Sequence, residues 1–235
     1  MPRKSREEWK VYKNVFDNAT LRNIHKLSSQ GHFEELKSPV ALGKESNVFI
    51  AVKGKKRIIA KIYRVENCNF NKMYEYIAPD PRYAGIKKRR RLIIFSWVQR
   101  EYRNLLKARE VIRVPAPIAV RDNVLLMELI GGRIPAPMLK DSEMNNPGVF
   151  FEKVLGNVKK LYKAGMVHAD LSEFNILNHE QEPVFIDWSQ ATTTRHPQAD
   201  DFLRRDLKNI VKYFNKQGLR LDKEEVYKQV LPADN

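Results

Sequence analysis

The sequence predicts an α+β chain in two lobes: a smaller one built on an antiparallel sheet with one long helix, and a larger, mainly helical one. Three observations lead there. Apolar residues alternate with period two from Val48 to Ile62, around the turn Gly54-Lys55-Lys56, which is the pattern of a hairpin. The apolar run Val124–Leu129 is broken by Ile130-Gly131-Gly132, a natural hinge between lobes. Beyond it, Phe151, Val154, Leu155, Val158, Leu161 and Tyr162 recur at helical spacing, as do Phe202, Leu203, Leu207, Ile210, Val211 and Phe214.

In chain order, residues 1–38 read as a helical extension. Ser5 and Glu8 have the spacing of a capping box, Trp9, Tyr12 and Phe16 form one stripe, and Leu21, Ile24 and Leu27 form a second that ends near Gly31. Residues 39–130 form the smaller lobe. Within it, 64–91 is polar and without clear period, and it ends in Lys87-Lys88-Arg89-Arg90-Arg91. Five like charges repel and oppose a helix N-terminus, so 64–91 is expected to be a mobile loop. A helix firm from about Leu92 follows, marked by Phe95, Val98, Tyr102 and Leu105. Residues 131–235 form the larger lobe: helices through 151–162 and from about Asp201 to Gly218, short apolar runs at Ile176-Leu177 and Val184–Ile186, and a last helix capped by Asp222 with Glu225.

Composition bounds the function. Of 235 residues, 43 are Lys or Arg and 28 Asp or Glu, a formal charge of +15. The whole excess lies in residues 1–130. A basic half invites a polyanion such as nucleic acid. One cysteine, Cys68, excludes an intrachain disulfide. No apolar run is long enough to span a bilayer, and the charged N-terminus lacks a signal's apolar segment. No membrane partner and a cytoplasmic location are therefore expected.

The chemistry lies in Met166–Leu177, which contains His168, Asp170, Leu171 and Asn175, and in Phe185-Ile186-Asp187. Apolar residues deliver Asp170 to a chain reversal, and Asn175 follows five residues later. This arrangement suits metal-assisted phosphoryl transfer: one carboxylate accepts the nucleophile's proton, while an amide oxygen and a second carboxylate hold Mg²⁺ against nucleotide phosphates. Asp170 is the candidate base, and Asn175 and Asp187 are the candidate metal ligands. His168 reads as a residue bonding the loop. Phosphate chemistry also needs a cation held by a carboxylate. Lys61 lies in the strand Ile-Ile-Ala-Lys-Ile-Tyr, and Glu101 lies on the apolar side of the next helix. A buried glutamate needs a cation, and Lys61 is the candidate. Upstream, Gly43-Lys44-Glu45-Ser46 links two strands and is placed to cover phosphates with backbone N–H groups. Met127-Glu128-Leu129-Ile130 stands where the backbone of Glu128 and Ile130 would meet an adenine edge.

Gly43-Lys-Glu-Ser-Asn-Val-Phe49, Ala60-Lys-Ile-Tyr63, His168-Ala-Asp-Leu-Ser-Glu-Phe-Asn175 and Ile186-Asp-Trp-Ser-Gln190 together resemble the atypical RIO kinases, over about residues 40–218. The resemblance implies a reduced bilobal protein-kinase-like fold without activation segment or APE helices. It also implies an ATP- and Mg²⁺-dependent (or Mn²⁺-dependent) serine kinase or ATPase acting in maturation of the small ribosomal subunit. Only 48 residues follow Asp187, which is succeeded by Trp-Ser-Gln rather than Phe-Gly, and Ser172 stands where ordinary kinases carry lysine. About 40 residues precede the phosphate loop, too few for a winged helix, so the resemblance is to the first branch and an archaeal source. It implies that Gly43, Lys44, Glu45, Ser46 and Lys61 meet the nucleotide, with Glu101 positioning Lys61. It also implies that Asp170 is catalytic and that Asp187 can accept phosphate as an aspartyl-phosphate. Ala41-Leu42 departs from the Ser-Thr expected before Gly-Lys-Glu. The expected partner is the pre-small subunit, met through its ribosomal RNA by the basic half.

Two rival readings stand beside it. Aminoglycoside and choline kinases share His-x-Asp-Leu-x3-Asn and Ile-Asp-Trp, but the short tail leaves little room for their substrate-binding helices. A binding module using ATP only as a switch on RNA is the other.

Overall fold

The computed structural model describes residues 16–66 and 68–231. The expected helix carrying Ser5, Glu8, Trp9 and Tyr12 lies outside them. Five antiparallel strands form the sheet of the smaller lobe: β1 (Glu35–Leu42), β2 (Ser46–Lys53), β3 (Lys56–Tyr63), β4 (Pro117–Arg121) and β5 (Val124–Glu128), in the order β1-β2-β3-β5-β4. The hairpin of β2 and β3 follows the alternating sequence, with Val48 opposite Lys61 and Val52 opposite Arg57.

Both faces of this sheet are covered. Helix α1 (Asn18–Ser29) is capped by Asp17, whose carboxylate accepts the Thr20 N–H at 2.6 Å. Its Ile24 and Leu27 pack on one face with Phe49, Ile58, Ala60, Ile62 and Leu126. Burial of each of these Ile, Leu and Phe side chains stabilises by about 1.5–3 kcal/mol. On the other face Tyr63, Leu125 and Met127 join the main core. Alternation therefore turns Lys61, between Ala60 and Ile62, toward that core, and Lys61 is buried.

Two expectations are corrected. Residues 1–38 are not helical throughout, because β1 begins at Glu35. Leu36, buried opposite Ala51, draws the chain into the sheet, and Pro39 sits at a register shift on this edge strand. Nor is 64–91 a loop throughout. Helix α2 (Phe70–Ile77) is capped by Asn69, whose side chain accepts the Lys72 N–H at 3.1 Å, and a 3-10 turn follows at Pro81–Tyr83. Met73 and Ile77, one helical turn apart, are fully buried and anchor it. Helix α3 (Arg90–Arg109) starts inside the basic run. The Arg90 guanidinium bonds the Glu66 carbonyl at 2.7 Å and lies over the Phe70 ring, so its charge is held by acceptors away from the helix end.

Gly131 makes the hinge. Its φ is +113°, and a Cβ there would come within 2.4 Å of the Ala136 nitrogen and 2.5 Å of the Ile134 carbonyl oxygen. The larger lobe packs α4 (Pro147–Lys163), α5 (Ala199–Lys216) and α6 (Lys223–Val230). Asp222 caps α6 by accepting the Glu224 and Glu225 N–H groups at 2.9 and 3.0 Å. Six α-helices are present among the described residues. Four short strands fill the space between α4 and α5: β6 (Met166–Val167) pairs with β9 (Thr192–Thr193), and β7 (Ile176–His179) with β8 (Glu182–Phe185). Their connections, 168–175 and 186–191, face the smaller lobe. Among the described residues no helix is long and apolar enough to cross a membrane.

Candidate functional site

The site forms where β3, α3 and the β8–β9 connection meet. Lys61 Nζ lies 2.8 Å from Glu101 Oε1 and 2.9 Å from Asp187 Oδ1. Glu101 comes from the buried side of α3, and its other oxygen accepts the Tyr63 hydroxyl proton. Burial alone would strip the Lys61 proton, but Asp187 and Glu101 more than offset it and hold the ammonium well above the usual lysine range. Burial pushes Glu101 up, with Lys61 opposing. Asp187, also opposed by burial, is held below the usual carboxylate range by Lys61 and by the Ser189 hydroxyl, which donates to Oδ1 at 2.8 Å. Asp187 itself sits at φ 60°, a conformation costing about 1–3 kcal/mol unless its surroundings impose it.

The 168–175 connection supplies the second half. Asn175 donates its amide hydrogens to the Asp170 carbonyl at 2.7 Å and to Asp170 Oδ2 at 3.2 Å. Its own N–H is held by Ser172, and its carbonyl accepts the Ile186 N–H at 3.0 Å, tying the two connections together. Burial, then the Asp187 charge, push Asp170 up to about 6. His168 lies 3.1 Å through Nε2 from the Ile186 carbonyl. A carbonyl can only accept, so Nε2 carries the proton. Burial pushes His168 down to about 4, so the ring is neutral and acts as a brace.

Asp206 and Arg205 of α5 were not singled out in the sequence. Asp206, fully buried, accepts the Ala169 N–H at 2.7 Å and the Leu171 N–H at 2.8 Å. Arg205 donates to the Ala169 carbonyl. Together they impose φ 64° on Ala169, next to Asp170. Burial pushes Asp206 up to about 8, against the two N–H donors, which favour the carboxylate. The signal was available: Asp206 falls on the apolar stripe of Phe202, Leu203, Leu207 and Ile210, where an acid needs a partner. Tyr63 and Ser189, each two residues beyond a site residue, were also missed.

The loop at Gly43–Ser46 is closed by its own backbone. The Gly43 N–H bonds the Ser46 carbonyl at 2.9 Å and closes the turn, so it is not free to donate elsewhere. A Cβ at Gly43 would meet that same carbonyl oxygen at 2.9 Å. Lys44 is exposed, and the Glu45 carbonyl accepts the Arg64 N–H at 2.9 Å. Burial, then the Asp187 charge, raise the Glu45 carboxyl, which faces the same cleft. At the hinge, the Glu128 N–H is bonded to Ala116 and the Ile130 carbonyl to the Ala136 N–H. The Glu128 carboxylate is held by Arg113 and the Ala116 N–H.

The chain is similar to known proteins along most of its length. The RIO domain model matches residues 47–227. The RIO-type serine/threonine-protein kinase Rio1 of Methanocaldococcus jannaschii is 43% identical over 230 residues, covering 97% of this chain and 79% of its own length. That of Haloferax volcanii is 40% identical with the same coverage. The human serine/threonine-protein kinase RIO1 is 32% identical over 225 residues, which cover 39% of its length. The Rio2 kinase–ADP/Mg²⁺–phosphoaspartate complex from Chaetomium thermophilum superposes with a TM-score of 0.69 at 20% identity, over 90% of this chain and 66% of that one. It shares the reduced bilobal kinase fold.

Proposed function

The chain belongs to the RIO family and is a RIO-type serine/threonine-protein kinase, and from that premise we propose that it uses ATP with Mg²⁺, as kinase or ATPase, in maturation of the small ribosomal subunit. The observation that carries the nucleotide reading is the juxtaposition of the Lys61–Glu101–Asp187 cluster with the Asp170–Asn175 pair.

The donor set fits Mg²⁺. Asn175 uses its amide hydrogens on Asp170, which leaves Oδ1 as an acceptor, and Asp187 receives Lys61 and Ser189 on Oδ1, which leaves Oδ2. Among the described residues no cluster of three or more His, Cys, Asp or Glu could hold an ion. Mg²⁺ takes one or two protein oxygens and completes its shell with phosphate and water. Bound there, the ion neutralises charge on the transferring phosphoryl group.

The protein's own groups do the rest. Lys61, held by Glu101, meets the non-reacting phosphates, and the N–H groups of Lys44 and Glu45 remain for the phosphate chain. A purine edge is read by the Glu128 carbonyl and the Ile130 N–H, since their companion groups are occupied. Asp170, with a pKa of about 6, is ionised at neutral pH and takes the proton of a serine hydroxyl or water. If Asp187 is the acceptor, its carboxylate oxygen attacks the γ-phosphorus and the bond to ADP breaks. Water activated by Asp170 then releases phosphate. Asp170→Ala is expected to abolish ATP turnover and autophosphorylation on serine while ADP still binds; full turnover would overturn the assignment.

The RNA reading rests on surface charge. Residues 87–91 are all exposed; Arg90 is also engaged with Glu66 and Lys88 lies over the Tyr74 ring. Phosphate contacts dominate such binding. ATP turnover measured with and without pre-small-subunit particles tests the partner: stimulation supports it, and indifference counts against it.

A further inference from the structure

The segment expected to be a loop carries a buried acid, Asp80, that nucleotide chemistry does not use. Arg82 grips it in a fork, Nε to Oδ1 at 3.0 Å and Nη2 to Oδ2 at 2.7 Å. Arg100 of α3 lies 3.5 Å from the same Oδ2 and is itself fully buried. Burying a guanidinium is costly, and burial brings Arg100 down to about 10. Replacing buried ions by apolar side chains often leaves a protein as stable or more so. Stability alone is therefore a poor account of this cluster, and its contacts give a better one.

Those contacts converge on the residues just after Asp187. Asn104 Nδ2 donates to the Trp188 carbonyl at 2.9 Å and to the Ala191 carbonyl at 2.7 Å. Arg100 donates to Gln190 at 3.1 Å and to Ala191 at 3.3 Å. Arg82 reaches Ala191 at 3.3 Å and holds Asn104 Oδ1 at 2.8 Å, which fixes the amide's orientation. Arg100 also bonds the Tyr76 carbonyl at 3.1 Å, and the Tyr76 hydroxyl accepts from Arg205 at 3.2 Å. Arg100, Glu101 and Asn104 lie within one turn and a quarter of a single helix.

We propose that Asp80, Arg82, Arg100 and Asn104 are positioning residues for Asp187, clamping residues 188–191 to the same helix whose Glu101 holds Lys61. One rigid element then sets both the cation and the carboxylate. The inference rests on the reading of Asp187 as a ligand of the nucleotide's metal.

Arg82→Leu and Asn104→Ala test it. Arg82 is partly exposed, so its variant is expected to fold even where Asn104→Ala does not. Both should raise the Mg²⁺ concentration for half-maximal phosphotransfer about tenfold, the usual effect of losing a group that orients a metal ligand. ADP affinity without Mg²⁺ should stay unchanged, and amide exchange at 189–192 should quicken. Arg82→Lys should restore part of the Mg²⁺ response. A lowered melting temperature with an unmoved Mg²⁺ requirement and unmoved exchange would overturn the clamp. Asp187→Asn serves as the control. If it leaves the Mg²⁺ requirement unchanged, the metal reading fails instead, and the exchange at 189–192 still decides whether the clamp exists.

Discussion

Removing the Lys61 ammonium should damage the fold more than neutralising its partner, and the deficit should depend on pH. Lys61 and Glu101 have side-chain exposures of 8% and 1%, so water screens neither, whereas Asp187 is 38% exposed and can be rescued by solvent. At a pH high enough to ionise it, Glu101 in Lys61→Met keeps only the Tyr63 hydroxyl, which costs about 3–5 kcal/mol for an orphaned buried charge. At about 2–4 °C per kcal/mol for a chain of this size, the melting temperature falls by about 6–20 °C. Glu101→Gln keeps Lys61 paired with Asp187 and weakens one hydrogen-bonded contact, a loss of about 1–3 kcal/mol. The double variant should therefore be less destabilised than the sum of the singles by about 2 kcal/mol, within the range seen for contacting residues. The pH sign follows from Glu101, whose folded carboxyl already titrates above its usual range because it is buried. Without Lys61 it rises further, so the folded variant holds a proton that the unfolded chain has released. The deficit is then smallest near the unfolded carboxylate range and grows as pH rises through the folded value. Thermal melts of the four proteins from pH 4.5 to 8 measure both effects. Energies that simply add, or a deficit flat across pH, would show that Lys61 and Glu101 are not coupled.

Three further outcomes are expected. Because Asp170 must be ionised to accept a proton and titrates at about 6, kcat/KM should fall as pH drops through about 6. Asp170→Asn should lower kcat by about 100- to 10,000-fold; an acid limb unchanged in Asp170→Glu would assign it to another group. His168 is held neutral down to about 4, below its usual value, so the folded state binds fewer protons than the unfolded one between about pH 4 and 6.5. Stability is lost as pH falls through that window, and His168→Phe should flatten the slope in acid melts. Replacing Lys87, Arg89 and Arg91 by Gln should reduce the salt slope of RNA binding by about 2–3 if each meets a phosphate, with ATP turnover in isolation unchanged. An unaltered slope would return these residues to a solvated face.

How much of this was legible depends on where the signal lay. The β2–β3 hairpin could be read because period two survives along it, and Lys61 stood out as the one charge in Ile-Ile-Ala-Lys-Ile-Tyr. Helix α2 could not, because eight residues bury only Met73 and Ile77, and a stripe of two has no measurable period. For α3 the helix was legible and its buried face only partly so. Phe95 and Tyr102 are partly exposed, while Arg100, Glu101 and Asn104 lie inside beside Trp97, Val98 and Leu105. Polar residues on a buried face read as solvent-facing unless their partners are known. Glu101 was recovered because its partner, Lys61, had its own signal. Arg100 and Asn104 were not: most of their partners are main-chain carbonyls, which leave no mark on residue type, and their side-chain partners, Asp80 and Arg82, lie in the segment read as a loop.

That distinction also explains how so small a larger lobe can hold a demanding geometry. Ala169 and Asp187, beside or within the site, both adopt left-handed backbone, at φ 64° and 60°. Such conformations persist only where the surroundings over-determine them. For Ala169 the constraint comes from α5, through Asp206 and Arg205 on its N–H and carbonyl. For the residues after Asp187 it comes from α3, through Asn104 and Arg100 on three carbonyls. In each case side chains on a long helix grip the backbone of a connection, and the helix is fixed in turn by apolar packing. Cutting one grip should therefore loosen one connection and leave the other in place. Asp206→Asn keeps one acceptor and loses the other, so amide exchange should quicken at Ala169 or Leu171 while 189–192 stay protected. Faster exchange in both connections at once would mean that they move as a unit, joined through the Asn175–Ile186 hydrogen bond, and that the two helices do not act separately.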